Sequence, residues 1–201
     1  MNITSIQELR ELYGFPSGRA KLKVLHSLEK HSINFVEQAP FLVLSTYNRQ
    51  GNLDASPRGG RPGFVKILNR NQLLIPDARG NNRLDSLTNI IETKAIGLLF
   101  FIPGVDETLR VNGKAQISIL KNHLALFSDE KNKPKCCIVV TIEEVFLHCA
   151  KAFMRSQLWD PTSKIKRDTF PTMGKMLNDQ IGMDIKPERH EDMIKRYKKD
   201  L

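Results

Sequence analysis

The sequence predicts a mainly β fold with flanking helices (α+β), in which antiparallel strands form a small closed barrel. Short apolar or alternating segments recur between residues 41 and 147, and clusters of Gly, Asn and Pro separate them at short spacing. Patterns with helical periodicity precede and follow this region. Several strands joined by short turns, with helices outside, are typical of a small barrel.

The 201 residues fit one domain with an extra helical segment. We expect an N-terminal helical segment packed on the barrel over residues 1–39. The barrel itself is expected over residues 40–160. A C-terminal extension with an amphipathic helix is expected over residues 161–201.

The first helix is predicted from the capping-box pattern of Ser5 and Glu8, and Gly14 ends it. A second helix is expected after Ser17, and a third, shorter one from Ser32 through residue 35. The second helix would carry four apolar residues: Ala20, Val24, Leu25 and Leu28.

The strands are predicted from β-branched and aromatic runs between turn residues. Their expected ranges are 41–46, 53–56, 64–68, 72–75, 95–102, 109–119 and 136–147. Gly113 is expected to mark a bulge in the sixth strand. A helix that carries Leu84, Leu87 and Ile90 is expected between the fourth and fifth strands, and a short one over 123–127 before the last.

The three cysteines, Cys136, Cys137 and Cys149, are odd in number and have no C-x-x-C spacing. This number and spacing are not those of a disulfide framework, which fits a reducing cytoplasm. A zinc site that joins them to His148 is the alternative, but we expect no metal and predict small buried residues on a strand. The sequence shows no apolar run of membrane-spanning length and no signal-peptide pattern, so a cytoplasmic protein is expected.

The net charge of +9 is concentrated between residues 58 and 83. Six basic residues in this stretch face one acidic residue, Asp77; they are Arg58, Arg61, Lys66, Arg70, Arg79 and Arg83. A focused cluster amid Gly and Asn favours a compact anion such as phosphate. Binding of nucleic acid is the alternative, although a duplex would be expected to meet a longer basic stripe.

Two segments carry this chemistry: Ser56-Pro57-Arg58-Gly59-Gly60 and residues 75–83, IPDARGNNR. The second ends a strand and starts a helix, where backbone N–H groups suit phosphate. Asn81 and Asn82 can donate hydrogen bonds, and Arg83 can bind phosphate through two donors. A basic surface loop before a capped helix is the alternative interpretation.

Four segments resemble the pyridoxamine 5′-phosphate oxidase-like family: 41–46, 54–60, 75–83 with Asn89, and ETLRVNGKA at 107–115. The segment HCAKAFMRSQLW at 148–159 is similar to a subgroup of FMN-dependent enzymes of unassigned substrate. The resemblance implies an FMN-binding split β-barrel. It also implies a homodimer with FMN at the subunit interface.

The resemblance also implies the cofactor-binding residues. Arg58 and Lys66 match basic positions under the flavin. The backbone of residues 75–77 would lie against the isoalloxazine ring, and residues 82–83 would hold the phosphate, with Lys151 and Arg155 reaching the flavin from the second subunit. The full expected set is Ser56, Arg58, Lys66, Ile75, Pro76, Asp77, Asn81, Asn82, Arg83, Lys151 and Arg155.

No side chain stands out as a catalytic acid or base, and Asp54 and Asp77 are too isolated in sequence for a carboxylate pair. The C-terminal Arg189-His190 departs from the element that closes the substrate pocket in the classical oxidase, which argues against oxidation of vitamin B6 phosphates. We expect a flavin-dependent oxidoreductase acting on a small molecule. The alternatives are a flavin-binding protein without turnover, for storage, sensing or electron relay, and a haem- or deazaflavin-binding relative.

Overall fold

The computed structural model of the protein describes residues 2–77, 80 and 82–200. Its strands are β1 Phe41–Tyr47, β2 Leu53–Gly59, β3 Lys66–Asn69, β4 Gln72–Pro76, β5 Ala95–Phe101, β6 Thr108–Ser118 and β7 Cys137–His148. Its helices are α1 Ile6–Tyr13, α2 Arg19–Leu22, α3 Lys30–Gln38, α4 Asp85–Thr93, α5 Lys121–Ala125, α6 Lys151–Ser156, α7 Met173–Ile181 and α8 His190–Tyr197. Two 3₁₀ turns, Pro161–Ser163 and Arg167–Thr169, lie between α6 and α7.

The strands form one antiparallel sheet in the order β2-β1-β5-β6-β7-β4-β3. The expected mainly β fold with flanking helices is therefore confirmed. In the described part of the chain, the ladder runs from β2 to β3 and is not closed between these two strands.

The core is formed by the inward residues of the sheet together with α3 and α4. Leu42, Leu44, Phe100 and Val111 are fully buried. Val36 of α3 is equally buried, whereas α1 has no buried residue. The apolar side chains of α4, Leu87 and Ile90, belong to the same core cluster as Leu42 and Leu44 of β1. This packing holds α4 against β1.

The predicted bulge in β6 is confirmed. The register of the β6–β7 pair shifts between Asn112 and Gly113. A Cβ atom at Gly113 would lie 2.0 Å from the carbonyl oxygen of Thr141, so the close approach of the two backbones requires glycine.

Two helix predictions are wrong at their boundaries. The second helix has only four residues and follows Gly18 rather than Ser17, because Leu25 instead exchanges two backbone hydrogen bonds with Val145 of β7. The third helix starts at Lys30 rather than Ser32, because the Glu29 carboxylate accepts the backbone N–H of Ser32 and thereby caps the helix earlier. Val24 and Leu28 consequently lie outside any helix, although Leu28 is buried.

Candidate functional site

A cavity of about 220 Å³ lies between β2, the end of β4 and the first turn of α4. Its described lining residues are Ser56, Pro57, Arg58, Gly59, Phe64, Pro76, Asp77, Gly80, Leu84, Asp85, Ser86 and Leu87. β2 and β4 lie near opposite ends of the sheet order, so the sheet curls to bring both ends to this cavity.

Strand β2 presents polar residues inward. Asp54, Ser56 and Arg58 alternate along the strand and are half-buried, whereas Leu53 and Ala55 are exposed. Side chains two residues apart share one face of a strand, so the three polar groups face α4 together. An antiparallel sheet with one face in solvent usually has the opposite arrangement, with its polar residues on the solvent face.

The Asp54 carboxylate is the centre of a hydrogen-bond network beneath the cavity. It accepts bonds from the hydroxyls of Ser86 at 2.6 Å, Ser56 at 3.3 Å and Thr46 at 3.5 Å. The Asn89 amide donates in turn to the Thr46 hydroxyl at 3.0 Å. The network ties the strand pair β1–β2 to α4.

Arg58 joins this network from the cavity side. Its Nη2 donates to the Ser86 hydroxyl at 3.3 Å, and its Nη1 donates to the Pro57 carbonyl at 3.0 Å. The guanidinium is therefore held at the cavity wall with donors remaining for a ligand, since Arg carries five N–H groups.

Among the residues that the structure describes, no side chain caps the first turn of α4. The N-cap residue is Leu84, in left-handed conformation with φ of 58°, and its side chain has no acceptor atom. Asp85, Ser86 and Leu87 of the first turn all line the cavity. Uncapped N–H groups at a helix start attract an anion.

Carboxylates also border the cavity. Asp85 forms a 2.8 Å ion pair with Arg83, in which both side chains are substantially exposed. Burial raises the pKa of Asp77, while the positive charges of Arg58 and Lys135 oppose that shift. The Asp77 backbone N–H donates to the Cys136 carbonyl at 3.0 Å, which fixes it at the end of β4.

The structure brings together four of the predicted site residues: Ser56, Arg58, Pro76 and Asp77 line the cavity. Two others lie elsewhere in the barrel. Ile75 is fully buried in the core. Lys66 Nζ donates to the Gly63 carbonyl at 2.9 Å and lies 5.8 Å from the centre of the Phe127 ring.

The remaining predicted residues lie around the cavity or away from it. Asn82 and Arg83 are exposed, immediately before the start of α4. Asn81 lies outside the described residues. Lys151 and Arg155 are exposed on α6 and are not part of the cavity lining in their own chain.

Several residues of this site were not predicted from the sequence, chiefly Asp54 and Ser86 in the network and Asp85, Leu87 and Phe64 in the lining. The alternation of Asp54, Ser56 and Arg58 along a strand was an available signal, because it places three polar groups on one face. The contact between Asp54 and Ser86 carries no sequence signal, since the two residues are 32 positions apart.

The cysteines lie at or beside β7. Cys137 is buried, and burial raises the pKa of its thiol to about 11, which makes it a poor nucleophile. Cys136 is half-buried. Cys149 is exposed. The prediction that all three are buried residues on a strand is therefore wrong for Cys136, which precedes β7, and for Cys149, which follows its end.

A row of aromatic rings leads from β1 to α6. Phe41 contacts Phe101, Phe101 contacts Phe153, and Phe153 stacks on Trp159 with ring centres 5.5 Å apart. The Trp159 Nε1–H donates to the Val105 carbonyl at 2.9 Å. These contacts anchor α6 beside the outer face of β5.

The donor set fits the phosphate of a small cofactor. Arg58 and the uncapped first turn of α4 supply donors at one end of the cavity, and Arg83 lies beside them. The cavity volume of about 220 Å³ is below the roughly 300–1,000 Å³ of typical ligand pockets. One chain therefore encloses only part of a ligand the size of a flavin nucleotide.

The chain is similar to several solved structures at low sequence identity. HupZ of Group A Streptococcus is 12% identical, with a TM-score of 0.51 over 60% of this chain and 93% of that protein. A Lactobacillus delbrueckii protein named after pyridoxamine 5′-phosphate oxidase is 19% identical, with a TM-score of 0.48 over 62% of this chain and 98% of that one. An FAD binding protein from Mycobacterium smegmatis is 12% identical, with a TM-score of 0.43 over 62% of this chain and 97% of that protein.

No curated protein matches the chain in sequence. Among the described residues, no helix has the length and apolar character needed to cross a membrane. The family model described as pyridoxamine 5′-phosphate oxidase matches residues 28–149, which include all seven strands and the cavity. The expected family is thereby confirmed: the chain belongs to the pyridoxamine 5′-phosphate oxidase family.

Proposed function

We propose that the protein binds FMN, with the phosphate held between β2 and the first turn of α4. The observation that carries the proposal is the meeting of Arg58 with the uncapped start of α4 in one cavity. A guanidinium and backbone N–H groups that converge on one point are a recurrent phosphate site. Family membership supports a flavin as the rest of the ligand.

The residues around the cavity take distinct roles in this proposal. Asn82 and Arg83 hold the phosphate from the solvent side. The backbone of residues 75–77 lies along the isoalloxazine ring, and Ser56 lies beneath it. Lys66 reaches the ring only when its bond to the Gly63 carbonyl opens. For Arg83 to reach the phosphate, its exposed ion pair with Asp85 opens, which costs little because exposed pairs are weak.

We propose further that the site is completed by a second copy of the chain. The cavity is smaller than a flavin requires. The outer face of β1 and β2 carries an exposed apolar pair, in which Leu53, 85% exposed, lies opposite Tyr47, 44% exposed. An exposed apolar sheet face of this kind marks an interface. Lys151 and Arg155 of one subunit then reach the flavin of the other.

The proposed activity is that of an oxidoreductase acting on a small molecule. Bound FMN would supply hydride transfer at its N5 atom. The protein's part is to orient the ring and exclude water, and a cation from Lys151 or Arg155 would stabilise negative charge on the reduced ring. The free thiols fit a cytoplasmic setting.

Titration of the apoprotein with FMN tests the binding proposal, with Arg58→Ala and Arg83→Ala compared with Arg61→Ala. Arg61 is an exposed arginine outside the cavity lining, so its variant controls for net charge. Loss of a charge-assisted hydrogen bond is expected to weaken FMN about tenfold to a hundredfold in Arg58→Ala. Equal affinity in Arg58→Ala, Arg83→Ala and Arg61→Ala would contradict the phosphate site.

Catalysis is tested separately from binding. Reduction of the FMN-loaded protein by NADH or NADPH, followed by reoxidation with candidate acceptors, distinguishes an oxidoreductase from a flavin-binding protein without turnover. The absorbance of any ligand that copurifies separates FMN from haem or a deazaflavin.

A further inference from the structure

We propose that Asp54 is a positioning residue of the anion site: through the Ser86 hydroxyl it holds Arg58 in the orientation that binds phosphate. The inference rests on the proposed function, since it concerns the affinity of the same cavity for a phosphate-bearing flavin. Asp54 is outside the cavity lining and would not contact the ligand itself.

The geometry assigns the direction of each hydrogen bond. A carboxylate accepts only, so the 2.6 Å bond between Asp54 Oδ2 and Ser86 Oγ uses the single proton of the Ser86 hydroxyl. The guanidinium of Arg58 donates only, so its 3.3 Å bond uses a lone pair of the same oxygen. Ser86 is thus a relay between a fixed anion and the cation of the site.

Further contacts hold the Asp54 carboxylate itself in place. Ser56 donates to both carboxylate oxygens, each at 3.3 Å, and Thr46 donates at 3.5 Å. The Thr46 hydroxyl is in turn fixed by Asn89, which is buried on α4. The orientation of Arg58 therefore depends on residues from β1, β2 and α4 that converge on one carboxylate.

A positioning role and a purely electrostatic role predict opposite results. A negative charge close to an anion site opposes binding by Coulomb's law, so its removal alone strengthens the binding of FMN. If Asp54 instead orients Arg58, its removal weakens the binding of FMN. The effect should concern the phosphate only, so riboflavin, which has the same ring without the phosphate, serves as the matched ligand.

The experiment compares the affinities of wild-type protein and Asp54→Asn for FMN and riboflavin. We expect Asp54→Asn to lose about tenfold or more in FMN affinity, as for one charge-assisted hydrogen bond, with riboflavin affinity changed less than about twofold. FMN affinity equal to or above that of wild type would overturn the inference, as would an equal loss for both ligands. Failure of the wild-type protein to bind FMN would instead refute the proposed function.

Ser86→Ala provides a second test that leaves the carboxylate in place. It should lose the same preference for FMN over riboflavin, and Asp54→Asn should add little further loss in the double variant, because the two residues act in series. Additive losses in the double variant would contradict the relay. Should Asp54→Asn fail to fold, a Ser86→Ala variant with unchanged preference for FMN overturns the inference by itself.

Discussion

The hydroxyl of Ser86 in the first turn of α4 donates a 2.6 Å hydrogen bond to Asp54 Oδ2 on β2. This bond joins the two walls of the cavity, so the fold itself organises the proposed anion site. Preorganised donors bind with a smaller entropic cost than donors that are ordered by the ligand.

Asp85→Asn should strengthen FMN binding by a few-fold. The change removes a carboxylate from the cavity lining and releases Arg83 from its 2.8 Å ion pair with Asp85. The matched control is Asp192→Asn. Asp192 of α8 forms a similar 2.8 Å ion pair with Arg189, and neither residue lines the cavity. FMN titration of both variants checks the prediction; weaker binding in Asp85→Asn would show that Asp85 is needed to position Arg83.

Leu53→Lys should convert a dimer into a monomer. Leu53 is 85% exposed on the outer face of β2, next to Ala55 and Pro57, and a lysine there would place a charge in the proposed interface. Ile119→Lys, at an apolar side chain that is 73% exposed beyond β6, is the control and should leave the mass unchanged. Light scattering after gel filtration measures the mass; a monomeric wild-type protein would contradict the proposed assembly.

Gly113→Ala should destabilise the fold by about 3 kcal/mol, at the upper end of the usual cost of overpacking. The new Cβ would lie 2.0 Å from the Thr141 carbonyl oxygen, so the β6–β7 pair would have to separate at the bulge. Gly97→Ala in β5 is the control, because its nearest atom would lie at an ordinary 3.4 Å. Urea unfolding measures both changes, and equal stabilities of the two variants would show that the bulge is not constrained.

The stability of the protein should fall as the pH drops below about 6.5, with His148 as a contributor. Burial lowers the pKa of His148, and the charges of Arg110 and Lys23 add to the shift from 6.5. The unfolded chain therefore takes up a proton in a pH range where the folded protein does not, and protonation favours unfolding there.

Replacement of His148 tests this contribution. His148→Gln should flatten the dependence of the unfolding free energy on pH between neutral pH and the lowered pKa. His31→Gln, at an exposed residue of α3, also removes one histidine but keeps His148, and serves as the control. An unchanged slope in His148→Gln would refute the assignment.

The sequence predicted the elements that local signals define. The helix capped by Ser5 and the succession of strands along the chain are determined by residues close together in sequence, and Gly113 itself marked the bulge, although the partner at the bulge, Thr141, is distant in sequence. The third helix was misplaced because two residues, Glu29 and Ser32, can both cap it, and only the geometry shows that Glu29 does.

The site was predictable only in part. Arg58 was identified from the cluster of basic residues and from the family resemblance, and Asp77 from the resemblance alone; both line the cavity. The role of Asp54 was not, because its hydrogen-bond partners Thr46 and Ser86 are brought to it by the pairing of β1 with β2 and by the packing of α4. Long-range contacts of this kind leave no trace in the local pattern.

The measurement that tests the central claim most directly is an absorbance spectrum of the purified protein, taken before and after heat release of any bound ligand. The account predicts the bands of an oxidised flavin, with the released compound identified as FMN. A colourless protein that also fails to bind added FMN would contradict the account, and the basic residues around the cavity would then be a surface feature or a site for another anion.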